Sequence, residues 1–152
     1  MTRPMTTAVH GVNRIDANGT MWRLRSLAAM GHDATRIARA LGTHPVHIHR
    51  VLHGRARTIP AGFRDDVIAL WDAWWDKTPP QTTPARRRAA ARARRLAEVN
   101  GWPAAAGLDE DQLDQPGYRP WCRYRPATGT GTAPDITPAT LRTTRPTARD
   151  IA

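Results

Sequence analysis

Apolar side chains recur at three- and four-residue spacing over residues 20–76, a spacing that predicts four helices. The first carries Trp22, Leu24, Leu27, Ala28 and Met30, with Thr20 placed to cap its start and Gly31 to end it. The second opens after Asp33, a capping residue, and aligns Ile37, Ala38 and Leu41 on one face. Gly42 supplies a sharp turn. The third runs from about Pro45 to Leu52, turns Ile48, Val51 and Leu52 inward, and stops at Gly54. Pro45 suits a first helical position, where a missing N–H loses no bond. The fourth begins near Pro60 and sets Phe63, Val67, Leu70, Trp71 and Trp74 on one stripe. About sixty residues can close one small core, though a marginal one.

Beyond this region the pattern changes. KTPPQTTP (77–84) reads as a stiff, extended linker, because proline cannot continue a helix and restrains its predecessor. ARRRAAARARRLAEVN (85–100) predicts a helix capped by Thr83, with Pro84 in its first turn. Arg88, Arg92 and Arg95 form one stripe of it, and Ala89, Ala93, Leu96 and Asn100 the other. Residues 108–115 are acidic. From Pro116 the chain is rich in Thr, Pro, Gly and Arg and has few apolar residues with which to order itself.

Charge narrows the range of partners. The 152 residues carry a net charge of +10, and Lys77 is the single lysine among 23 basic residues. Such an excess attracts polyanions, and arginine forks onto phosphates and guanine edges better than lysine does. The excess is uneven: residues 77–100 hold net +6, residues 1–76 net +4, and residues 101–152 sum to zero. With one cysteine, Cys122, no internal disulfide can form. No apolar run has the length of a signal or membrane segment. A soluble, cytoplasmic protein is therefore expected, with no membrane partner.

The most informative stretch is DATRIARALGTHPVHIHRVLHG (33–54). Small Ala38 allows the second and third helices to approach, and Ile37, Leu41, Ile48 and Val51 lock their angle. The third helix can then stand proud and enter a DNA major groove. The alanine, Leu41-Gly42, Ile48 and Leu52-His53-Gly54 resemble the lambda-repressor-like (Cro/cI-type) helix-turn-helix family. GTMWRLRSLAAMGHDATRIARALG, followed by the WDAWW helix and a proline linker, is similar to small regulators of high-GC actinobacteria and their phages. The resemblance implies that Pro45, Val46 and Arg50 face bases and that His44 touches phosphate. Family members often carry Gln or Ser where this chain has Pro45 and Val46. Those two can only pack on a thymine methyl, which shifts hydrogen-bonded reading to Arg50, with His47 and His49 as neighbours.

The expected fold class is thus all-α. Residues 1–18 form a flexible arm, 19–77 a helix-turn-helix domain, 78–84 the linker, 85–115 a basic helix with an acidic patch, and 116–152 a mostly disordered tail. Base reading is assigned to Pro45, Val46, His49 and Arg50. Backbone contact is assigned to Thr35, Arg36, His44, His47, Arg55, Arg57, Arg86, Arg87, Arg88, Arg92 and Arg95. A second reading of the basic helix pairs its arginines with Asp109, Glu110, Asp111 and Asp114 instead. His49 and His53 share a helical face, as metal ligands can, but no cysteine or carboxylate cluster completes a site. Neither a metal nor another cofactor is expected. The sequence shows no phosphate loop, nucleophile pair or catalytic carboxylate pair, so a non-enzymatic role follows. The expected function is a sequence-specific regulator that binds double-stranded DNA, a phage-type or mobile-element repressor occluding a promoter. A DNA-handling accessory protein of small terminase or excision-factor type is an alternative, as is a non-specific nucleic-acid binder. A homodimer or a partner protein is left open by the sequence.

Overall fold

The computed structural model describes residues 13–144. Most of the arm expected at 1–18 and the end of the expected tail lie outside them. Six helices occur among the described residues: α1 (Asn18–Ala29), α2 (Ala34–Leu41), α3 (Pro45–Leu52), α4 (Ala61–Trp74), α5 (Pro84–Asn100) and α6 (Pro138–Thr144). A 3-10 turn covers Ala105–Gly107. Strands β1 (Arg14–Asp16) and β2 (Thr58–Pro60) pair antiparallel, with Ile15 opposite Ile59. The fold is therefore mostly helical with a small two-stranded ribbon, not purely α. Three-residue strands lack the length for periodicity to reveal them.

Local chemistry sets the helix ends. Asp33 accepts the Arg36 N–H at 3.2 Å and starts α2. Gly42 ends it at φ 70°, the left-handed conformation that glycine adopts freely. Pro45 opens α3 behind His44, whose Nδ1 accepts the Val46 N–H at 3.2 Å. Thr83 caps α5, and Gly101 closes it at φ 75°. The first helix departs from expectation. It starts at Asn18, and Thr20 lies buried inside it rather than capping it.

Helix α1 is the central element, packing against α3, α4 and α5. Leu24, Leu27, Ile37, Ile48, Leu52, Val67, Leu70 and Trp74 are buried at its heart. The core does not stop at residue 77. Ala97, Trp102, Leu113, Ala133 and Leu141 belong to the same apolar cluster. On α5 the buried stripe is Ala90, Ala93 and Ala97, one position removed from the expected stripe over most of its length. Alanine has no bulk beyond Cβ, so α5 can lie close along α1.

The expected division into domain, linker and disordered tail is thus corrected. Pro79 is buried. The linker pairs with the tail: Thr78 N–H donates to Gly131 O at 3.0 Å, and Ala133 N–H to Thr78 O at 2.8 Å. Tyr118 O accepts from Trp22 Nε1 at 3.1 Å and Asn18 Nδ2 at 2.9 Å. The acidic patch also joins the core. Leu113 is buried, and Asp114 grips the buried Arg23 with two bonds of 2.8 and 3.1 Å. A segment poor in apolar residues becomes ordered here because it adds a few side chains to an existing core and satisfies its backbone on neighbours.

His32 shows how tightly the pieces fit. Its ring is fully buried, lies 4.6 Å from the Trp74 ring at 11°, and donates from Nε2 to Lys77 O at 2.9 Å. Burial outweighs the backbone bond and, with Arg36 and Arg94 nearby, lowers its pKa to about 3 from 6.5. The folded protein keeps it neutral. Below pH 6.5 the unfolded chain takes up a proton that the folded chain does not, so stability falls with pH until about 3. Urea unfolding should show wild type losing up to about 1.4 kcal/mol per pH unit more than His32→Gln between pH 6.5 and 4.5. Parallel curves would clear His32 of that role. A chain ended after Lys77 should lose cooperative unfolding altogether, because it lacks Ala97, Trp102, Leu113, Ala133 and Leu141. A sharp thermal transition in that fragment would restore the shorter domain.

Candidate nucleic-acid interface

Helix α3 has two unlike faces. Ile48, Val51 and Leu52 are buried against α1 and α2. His44, Val46, His47, His49 and Arg50 are exposed, Val46 to 55%, and Pro45 is half-buried. An exposed valine beside three histidines and an arginine makes a mixed apolar and donor-rich surface without a carboxylate. Arg50 has no ion-pair or hydrogen-bond partner for its side chain among the described residues.

A side chain that sequence reasoning missed holds α3 in place. Arg25 Nε donates to Leu52 O at 2.7 Å, satisfying a carbonyl at the end of α3. Its guanidinium lies 4.6 Å from the Trp22 ring centroid and 4.9 Å from that of Trp102. Burial, then the charge of Arg119, lowers its pKa to about 10, which still leaves it charged at neutral pH. The Trp22 and Arg25 spacing of three on one helix was a usable signal; Trp102 was too distant in sequence to be one. His53 tilts over Trp102 at 5.6 Å and stacks on His49 at 6.3 Å. Burial, followed by the charges of His49, Arg55 and Arg25, lowers the His53 pKa.

Two grooves flank these helices. One, of about 530 Å³, runs between α3 and the β1–β2 ribbon and is lined by His47, Arg50, Arg55, Arg57, Arg14 and apolar residues. The other, of about 350 Å³, lies at the start of α2 and brings Thr35, Arg36 and Arg39 together with Arg86 of α5. The expected backbone contacts thus fall into separate sets. Arg92 and Arg95 line a shallow depression built from α5 alone, apart from both grooves. Arg88 is exposed, and Arg87 donates to Gln81 O at 3.3 Å.

Arg36 requires a correction. Expected on a phosphate, it instead donates to Asp135 at 2.9 Å, reaches Ala133 O and Pro134 O at 3.4 and 3.5 Å, and lies 4.4 Å from the Trp74 centroid. Its side chain is only 17% exposed. Asp135 lay too far along the chain for spacing to suggest the pair. The pairing of the α5 arginines with the acidic patch is not found either: Asp114 binds Arg23, and no α5 arginine forms an ion pair among the described residues. Trp121, in the aromatic-basic WCRYR segment, is 79% exposed. No group of three potential metal ligands occurs among the described residues, and no described helix is long and apolar enough to cross a membrane.

Arg36→Ala should therefore cost about 2–3 kcal/mol of folding stability, from the removal of charge-assisted hydrogen bonds and a sheltered cation–π contact. Denaturant unfolding measures it. Unchanged stability would return Arg36 to the surface role first expected of it.

Comparison with protein families, with curated proteins and with solved structures finds no match for the chain.

Proposed function

We propose that this chain is a sequence-specific DNA-binding protein that uses α2 and α3 as a helix-turn-helix of the lambda-repressor-like kind. The observation that supports this most is the division of α3: a buried inner row fixes the helix, and the outer row offers Val46, His47, His49 and Arg50 to solvent with no carboxylate among them. A helix held in that way can lie in a major groove of double-stranded DNA. Arg50 would fork onto guanine O6 and N7, Pro45 and Val46 would pack on thymine methyls, and His49 would add a polar contact.

The remaining contacts would go to phosphates. His44 and His47 lie at the start of α3, Thr35 and Arg86 line the groove at the start of α2, and Arg55 and Arg57 follow α3. Phosphate contacts set position and affinity, whereas base contacts select sequence. The proposed biological role is repression of the phage or mobile-element type. Occlusion of a promoter needs only tight binding at the right place, with no catalytic step.

Selection from randomised duplexes should return one preferred sequence, and single-base variants of it should then be compared for binding. Arg50→Ala should weaken binding by about 1–3 kcal/mol and remove preference at one base pair. An unchanged preference profile would show that Arg50 reads no base.

A further inference from the structure

Apart from Arg50, the groove between α3 and the ribbon is lined by residues that base reading by α3 does not use. Its floor is apolar: Val51 and Ile59 are buried, and Phe63 is half-buried beside them. Its rim is cationic, with Arg14, Arg50, Arg55 and Arg57, and no carboxylate lines it. Gathering four guanidinium groups without a counter-charge raises the local potential and favours an anion there. The groove at the start of α2 differs, because Asp33 and Asp135 already face its arginines.

The ribbon aims one of these groups. Arg14 donates from Nε to Thr58 Oγ1 at 3.0 Å and from Nη2 to Thr58 O at 2.9 Å, across the paired strands. Nη1 makes no hydrogen bond among the described residues. The Arg55 and Arg57 side chains are exposed and have no ion-pair or hydrogen-bond partner among the described residues.

We infer that this groove seats a stretch of DNA sugar–phosphate backbone beside the major groove read by α3, making the ribbon a second DNA contact within one protomer. The inference rests on the DNA-reading proposal for α3. A backbone strand alternates anionic phosphates with the weakly polar faces of its sugars. A cationic rim over an apolar floor matches both, whereas an isolated phosphate would use the rim alone. A helix in the major groove has a backbone strand along each side, so an element flanking α3 is positioned to meet one. The ribbon then anchors a single protomer, a task that a two-fold partner performs in dimeric binders.

The test uses the full chain and the duplex selected by the wild-type protein. Binding of wild type, Arg14→Ala and Arg57→Ala is measured across a salt series, with a hydroxyl-radical footprint for each. Each variant should bind roughly three- to tenfold more weakly at fixed salt. Each should show a slope of log K against log salt that is shallower by about 0.9 for every phosphate no longer neutralised. Both should keep the wild-type base preference and give up protection on one flank only. The Arg57 side chain is exposed and has no hydrogen bond or ion pair among the described residues, so the Arg57 variant guards against misfolding of the Arg14 variant. Variants that keep the wild-type slope and footprint overturn the groove while leaving reading by α3 intact. Deoxyadenosine monophosphate displacing the duplex at submillimolar concentration would mark a small-molecule site and also overturn it. Wild-type protein that binds no duplex overturns both proposals, and one that binds duplexes without preference overturns base reading.

Discussion

The ring of Trp74 is the point on which the rest of the structure depends. His32 stacks on it from the α1–α2 junction, Arg36 reaches over it from α2, and its Nε1 donates to Pro134 O at 2.9 Å. One side chain at the end of α4 thereby ties the junction before α2, α2 itself and the 133–137 segment together. A tryptophan suits this use because its large apolar face and single N–H work in different directions. His32 extends the tie to the linker through Lys77 O. Deep burial keeps that ring neutral, with Nε2 as the donor.

A second aromatic-cation arrangement, at the other end of α1, governs α3. Arg25 between Trp22 and Trp102 carries charge to the end of α3 without a carboxylate partner among the described residues. The tryptophan faces replace part of the water it gives up. Arg25 thus adds to the hold that the buried row of Ile48, Val51 and Leu52 has on α3. On the outer face of α3, Val46, His47 and Arg50 are exposed and make no side-chain hydrogen bond or ion pair among the described residues, so they can vary in identity at little cost to folding.

The helices between residues 18 and 100 were readable because their signals are local: Asp33 and Thr83 as caps, Gly42 as a left-handed turn, and Ile37, Ile48 and Val67 at helical spacing. The exposed face of α3 followed directly from the same spacing. What escaped was every feature that depends on distant pairing. The three-residue strands exist because Arg14 and Thr58 meet across the chain. Leu113 and Leu141 looked like isolated apolar residues in polar stretches, and only a core already built elsewhere gives them a place. Arg36 looked like a surface cation until Asp135 and Trp74 were beside it. Composition predicts disorder from the apolar content of a segment, and it cannot count the apolar surface that another segment lends.

The seating of α6 has a consequence for biosynthesis. Pro138 lies against Gly42, at the turn between α2 and α3, and Leu141 is buried in the common core. Ribosomes make chains from the N-terminus, so both helices of the proposed DNA-reading unit are complete long before the residues that rest on their turn. The hold on that turn is therefore added only after the two helices it joins have been made.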